Sequence, residues 1–241
     1  AFGEGISGLR IGVVRHFWEE AAALPADLPP ALEAALAVFR DLGATTEEVR
    51  LRPPQEYGDV KIVMAESELF ATHAAELRRR PHEFGQDFRV KALAACLFTA
   101  ADYVQASRVR RLMMAEMRAV HRRFDLLFTH GLSVAPRLDR ASSLAFFGVG
   151  GNPLPVFNCT GQPALSLPCG FSREGLPMSF QLAGRPFEDA LVLRAGVAHQ
   201  RAAGWHRKRP ALLPGTPPAP LAPAPWRPRL EDATPALRDR A

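Results

Sequence analysis

Lysine is nearly absent from this chain: Lys61, Lys91 and Lys208 are its only lysines among 30 basic residues, the rest being arginine. A lysine acting as a base therefore has three positions to choose from. Cysteine is scarce as well. Cys96, Cys159 and Cys169 are odd in number, form no Cys-x-x-Cys pair and have no histidine at a matching spacing. They signal neither a disulfide framework nor a zinc site and are expected to be free thiols, mostly buried. Long apolar runs are missing too. The longest uncharged apolar-rich stretch, Ala92 to Ala101, is about half of the roughly 20 residues that a spanning helix needs, so no membrane span is expected. The opening Ala1-Phe2-Gly3-Glu4 has neither a basic nor an apolar signal region, which makes a cytoplasmic location the default. Concentrated positive charge is also absent: the net charge is +5, but Arg78-Arg79-Arg80 and Arg207-Lys208-Arg209 are short clusters without interleaved aromatics. Nucleic acid is not an expected partner.

What is present is the composition of a globular protein. The chain has 241 residues, 47% apolar and 23% charged, enough for one large domain or two small ones with a buried core. The exception is the end of the chain. Nine of the 22 prolines lie between Pro210 and Pro235, in a segment almost without periodic apolar residues, so residues 211–241 are expected to form a disordered tail beyond a domain portion of residues 1–210.

Gly8 to Val14 reads as a buried strand, and Leu32, Leu36, Phe39 and Leu42 then recur at helical spacing up to Gly43, a helix stop. Thr45 to Leu51 has strand character again. Strand, helix and strand at this spacing make a parallel crossover. From Val60 to about Phe124 the pattern is helical, broken at Arg80-Pro81. In the last of these helices Asp102 is expected as the cap. Val104, Val109, Leu112, Met113, Met117 and Val120 are expected as its apolar stripe, with Arg108, Arg110, Arg111, Arg118 and Arg122 as a solvated face. Asp125 to Thr129 is another buried strand, followed by a long Gly-, Ser- and Pro-rich stretch up to Phe157, of the kind that often carries function. Ala164 to Phe171 and Met178 to Leu182 flank a turn at Ser172-Arg173-Glu174-Gly175, which predicts an antiparallel hairpin and hence a mixed sheet. A final helix over Glu188 to Ala203 is expected to bury Leu191, Ala195, Ala198 and Ala202 and to stop at Gly204.

Two segments are more specific than any of these elements. They are Pro155-Val156-Phe157-Asn158-Cys159-Thr160-Gly161-Gln162-Pro163-Ala164-Leu165-Ser166-Leu167-Pro168 and Gly175-Leu176-Pro177-Met178-Ser179-Phe180-Gln181-Leu182-Ala183-Gly184-Arg185-Pro186-Phe187-Glu188-Asp189. Together with Gly8 to Val13, Asp102 to Ala106, Asp125 to Thr129 and Trp205-His206, they resemble the C-terminal half of amidase-signature enzymes over about residues 5 to 210. The resemblance implies an α/β fold, the C-terminal part of a layered structure with a mixed twisted sheet between helices. It also implies hydrolysis of carboxamide bonds by a serine nucleophile, a second serine that relays a proton and a lysine base, with a glycine-rich loop holding the oxyanion and no cofactor or metal.

The family carries those groups in its N-terminal half, and no matching segment is found in this chain. Ser142-Ser143 is the only Ser-Ser pair, but Arg140-Ala141 and Leu144-Ala145 flank it, without the glycine that lets a backbone approach an oxyanion. No lysine stands in a context matching the family's base, and each is expected to be a surface charge. No catalytic residue is therefore assigned. By resemblance, the stretch from Phe146 to Leu154 faces the acyl side of the substrate pocket, with Phe146, Phe147, Gly151, Leu154 and Asn158 as candidate pocket residues. Asn158 and the turn Thr160-Gly161-Gln162-Pro163 would then hold the supporting loop; ordinary turn residues ahead of a strand are the other reading. His130, where the family more often has proline, is either a further pocket residue or a hydrogen-bonded structural histidine. Ser179 replaces the family's usual glycine in a close-packed strand.

The leading expectation is the C-terminal portion of an amidase-signature hydrolase, inactive alone, whose small-molecule amide substrate binds only with the missing N-terminal half. One alternative is a fragment of a glutamine amidotransferase A-subunit. Another is a non-catalytic interaction module that uses the arginine-rich faces or the Pro-rich tail. The oligomeric state is left open.

Overall fold

The structure, a computed structural model, describes residues 3–21, 24–132 and 152–209. Strand β1 (Arg10–Val13) leads through α1 (His16–Glu19) and α2 (Leu28–Asp41) to β2 (Thr45–Glu48), which pairs with it in parallel, Ile11 opposite Thr46. A helical run follows: α3 (Pro54–Arg79), α4 (Gln86–Ala95) and α5 (Ala100–Val120). The chain returns as β3 (Leu126–His130), parallel to β1 on its other side. After α6 (Leu154–Thr160), β4 (Ala164–Phe171) and β5 (Pro177–Gly184) form the antiparallel hairpin, and α7 (Asp189–Ala203) closes the fold. The hairpin turns where the Ser172 N–H donates to the Leu176 carbonyl at 2.8 Å. β5 adds antiparallel to β3, so the five strands run in the order β2-β1-β3-β5-β4 and the sheet is mixed, as its sequence predicts.

Helices cover both faces of the sheet, which explains why β3 opens on the apolar run Leu126-Leu127-Phe128 rather than alternating. Leu126 and Phe128 point into a core shared with Phe39 and Phe180 beneath α2 and α7. Leu127, between them, enters a second core with Tyr57, Met113, Met117 and Phe157 beneath α3, α5 and α6. Helices α2 and α7 stop where Gly43 (φ +88°) and Gly204 (φ +71°) turn left-handed, a conformation that side chains with a Cβ avoid.

Three local expectations are corrected. The cap of α5 is Thr99, not Asp102: Asp102 sits three residues later, its N–H donating to the Thr99 hydroxyl while its carboxylate accepts the Thr99 N–H at 2.8 Å. This capping box satisfies two of the N–H groups that a helix start leaves without partners. Second, α5 buries a narrower stripe, Ala106, Met113 and Met117, and leaves Val104 and Leu112 exposed. Its Arg110 belongs to the packed side, donating from Nε to the Cys159 carbonyl at 2.7 Å. Third, α7 buries Val192, Ala195, Gly196 and His199, with Leu191 and Ala198 only partly covered and Ala202 exposed. Gly196 decides this face, because a side chain there would strike Leu165 and Leu167 of β4; the helix packs its one bare position onto the sheet.

The serine at position 179 is accommodated by a glycine across the sheet. Gly131 follows β3, its N–H donates to the Ser179 carbonyl at 2.8 Å, and a Cβ at Gly131 would collide with the Ser179 hydroxyl.

His199 is the least expected core member. Its ring stacks on Phe39 with centroids 5.2 Å apart and meets Phe180 edge-on, and neither ring nitrogen has a hydrogen-bond partner among the described residues. Burial pushes its pKa down to about 4. The folded chain therefore keeps His199 neutral while the unfolded chain takes up a proton below about pH 6.5, so stability is fully present above that pH and falls as the pH drops toward 4. Between pH 7 and pH 5 this group is expected to remove about 2 kcal/mol. Urea unfolding of the wild type and of His199→Phe at the two pH values checks it: the variant should lose most of that difference.

Candidate functional site

Helices α3, α4 and α6 enclose a cleft of about 480 Å³. Helix α3 contributes Gln55, Gly58, Ile62 and Glu66, spaced three and four residues apart and so on one face, with Lys61 beside them. Helix α4 brings Val90, Lys91 and Ala94, and Phe98 follows it. The third wall is the start of α6: Leu154, Pro155 and Asn158, preceded by Asn152, whose Oδ1 accepts the Leu154 N–H at 3.0 Å. That bond satisfies one of the helix's first N–H groups and holds the turn before it. Apolar groups thus alternate with carboxamides and charges, the mixture that binds small organic molecules.

One charged group is built in, while Lys61 beside it keeps 37% of its side chain exposed. Glu66 is only 8% exposed, and Lys61 Nζ stands 3.6 Å from its Oε1. Glu66 Oε2 is buried without a hydrogen-bond partner among the described residues. Lys61 and Lys91 line this cleft, whereas their sequence context reads as solvated surface. No serine, threonine or cysteine is among the described lining residues. The cleft can bind and orient, but these residues supply no hydroxyl or thiol nucleophile.

The sequence candidates fall into three groups. Leu154 and Asn158 line the cleft, and both lie in helix α6 rather than in a loop. His130 ends β3, buried at 1% exposure opposite Phe180 in the sheet, and is not among the cleft residues. Phe146, Phe147 and Gly151, like Ser142, Ser143 and residues 211–241, lie outside the described residues. Gln55 and Glu66 carry no motif; their helical spacing is their only sequence signal.

A second cleft of about 350 Å³, lined by Met117, Arg118, His121, Thr160, Gln162 and Arg185 among others, lies at the other end of α6. Its polar floor is internally satisfied. Gln162 donates from Nε2 to the Gly184 carbonyl at 3.2 Å and hydrogen-bonds the His121 ring, and the Thr160 hydroxyl donates to the Val156 carbonyl at 2.8 Å. His121 is thereby held neutral, Nε2 accepting from Gln162 and Nδ1–H donating to the Phe124 carbonyl at 3.3 Å; burial lowers its pKa. Arg185 clamps the same corner, donating to the carbonyls of His121 and Phe124 and to Asp125 at 3.0 Å. Arg10 donates to both oxygens of Asp125, sharing Oδ1 with Arg185, and these hydrogen bonds hold that carboxyl down to about 2. The long motif thus serves two ends: Asn158 faces the first cleft, while Thr160, Gln162 and Arg185 lock the end of β5 and the start of β3 to α5 and α6.

Among the described residues no group of His, Cys, Asp and Glu is arranged to hold a metal, and no helix is long and apolar enough to cross a membrane. Of the cysteines, Cys159 and Cys169 are buried and Cys96 is exposed, all as free thiols.

Residues 3–193 match the protein family described as Amidase. The chain belongs to the amidase signature family. It is 32% identical to an amidase of Pseudomonas putida over 220 residues, 88% of this chain and 46% of the relative. It is likewise 32% identical to the glutamyl-tRNA(Gln) amidotransferase A-subunit of Chloroflexus aurantiacus over 236 residues, 86% of this chain and 47% of that protein. Among solved structures, a crystal structure of an amidase superimposes with a TM-score of 0.71 at 26% identity, covering 83% of this chain and 47% of the other. This amidase-family chain therefore has the α/β architecture of its relatives, and it spans about half the length of the curated relatives it matches.

Proposed function

We propose that this chain is the C-terminal portion of an amidase-signature hydrolase that cleaves non-peptide carboxamide C–N bonds. In this reading it supplies scaffold and pocket wall, and the two serines and the lysine of the catalytic set belong to the remainder of the enzyme. The observation that carries the reading is the α3–α4–α6 cleft, which is sized and lined for a small organic ligand yet presents no hydroxyl or thiol nucleophile among its described residues. The likeness to relatives of about twice the matched length supports it. The substrate is then a small-molecule amide held between the two portions, without cofactor, nucleic acid or membrane. A second reading, a portion of a glutamine amidotransferase A-subunit, is favoured by the equal identity to the Chloroflexus protein.

The test is labelling by a serine-directed fluorophosphonate together with amide turnover. Both are measured on the chain alone and on its mixture with an N-terminal segment carrying the lysine and the Gly-Gly-Ser-Ser-Gly-Gly loop. The chain alone is expected to be unlabelled and inert, and the mixture to be labelled on the added segment and active. Labelling of the chain itself that disappears in Ser142→Ala or Ser143→Ala overturns the reading, and a folded chain inert in both states favours an interaction module. Glutamine hydrolysis by the mixture in preference to simple amides selects the amidotransferase form.

A further inference from the structure

Among the described residues, Glu66 is the one acidic side chain that lines the α3–α4–α6 cleft, and its placement asks for a partner that those residues do not provide. The residue is over nine-tenths buried, yet its Oε2 accepts no hydrogen bond, and Lys61 reaches only toward Oε1, at a distance longer than a hydrogen bond. An unsatisfied buried carboxylate oxygen is destabilising, and native structures rarely keep one without a use. Helix α3 holds it at the wall of a space large enough for a ligand.

The neighbouring charge narrows the ligand. Lys61 stands beside Glu66 Oε1 and already compensates its charge, so a second cation gains little there, while an anion is repelled by Glu66 itself. A neutral O–H or N–H group satisfies Oε2 without that penalty. Around it, Ile62, Val90, Phe98, Leu154 and Pro155 offer apolar surface for the body that carries the group.

We propose that Glu66 is a specificity-determining residue: the cleft selects ligands whose apolar body carries a neutral hydroxyl or N–H donor, separate from the bond to be cleaved, and that donor bonds to Glu66 Oε2. The inference deepens the proposed function and takes from it only that this cleft holds the acyl side of the substrate.

The experiment is equilibrium binding by calorimetry with a matched pair, 4-hydroxyphenylacetamide and 4-methoxyphenylacetamide, which differ in the donor. It is run on the complex of the 241-residue chain with the N-terminal segment, with the chain alone as the reference. The wild type is expected to prefer the hydroxyl compound by about tenfold, the scale of one hydrogen bond to a charged group. Glu66→Leu, similar in size but without an acceptor, should bring the ratio close to one, and Glu66→Gln, which keeps an acceptor oxygen, should retain part of it. Equal affinities in the wild type, a ratio unchanged in Glu66→Leu, or no saturable binding of the hydroxyl compound at millimolar concentration overturns the inference. Turnover by the mixture reads the hydrolase proposal separately: activity without hydroxyl preference sinks only the role of Glu66, and preference without activity sinks only the hydrolase.

Discussion

Replacing Phe39 with alanine is expected to destabilise the chain by about 4 kcal/mol, because a fully buried phenyl ring is lost from a site that cannot collapse around the gap. Phe39 is 0% exposed. It touches Phe128 edge-on at 6.3 Å and Phe180 at 5.7 Å and lies flat against His199, so three elements of the fold, β3, β5 and α7, meet on one side chain of α2. Backbones of a sheet cannot move inward to fill such a space, which places the expected loss toward the upper part of the range for aromatic deletions. Urea unfolding followed by circular dichroism measures it. A loss below about 1 kcal/mol, the size of an ordinary surface change, means that the α2–sheet contact is not packed as described. Phe39→Leu, which refills most of the volume, should recover more than half.

Asp125→Ala is expected to lower stability at neutral pH by about 2 kcal/mol, after allowance for solvent screening on the exposed side of the network. Asp125 stands just before β3 and accepts from the Arg10 backbone N–H at 2.9 Å, from the Arg10 side chain and from Arg185. It therefore ties β1, β3 and the end of β5 together at one end of the sheet. Removing the carboxylate leaves Arg185 half-buried, with Glu188 as its remaining ion-pair partner. The pH dependence gives a second readout. The folded-state pKa of Asp125 is depressed to about 2 from 3.8, so its contribution is present above about pH 4 and is lost as the pH falls through 2. The variant's stability profile should lose that slope in the range from pH 4 to pH 2. A profile parallel to the wild type's would show that the three strands are not linked through this carboxylate.

The α/β class, the parallel crossover, the hairpin and the mixed sheet were all legible in the sequence, because each rests on a local signal. Runs such as Leu126-Leu127-Phe128 are apolar on both faces only where helices cover both, and Ser172 to Gly175 is turn chemistry in four residues. The family was legible for a different reason: residues 155–168 and 175–189 combine turn, strand and side-chain requirements that few folds share. The cap of α5 was missed by three residues within one turn, but elsewhere a partner distant in sequence had the deciding influence. The buried face of α7 turned on what β4 could accept at Gly196, and Arg110 left the solvated face because the Cys159 carbonyl lay within its reach.

The cleft divides in the same way. Leu154 and Asn158 were found through their motif, while Lys61 and Lys91, read as surface charges, line the same space, and Glu66 gave no sign of itself. The sequence by itself determined the class, the strand and helix succession and the family, since these depend on periodicity, turn residues and short contiguous motifs. Tertiary structure alone decided that side chains from α3, α4 and α6, up to about a hundred positions apart, share one cleft, and that one carboxylate oxygen there has no partner among the described residues. Burial and unsatisfied hydrogen bonding are properties of packed neighbours, and no local pattern in a chain carries them.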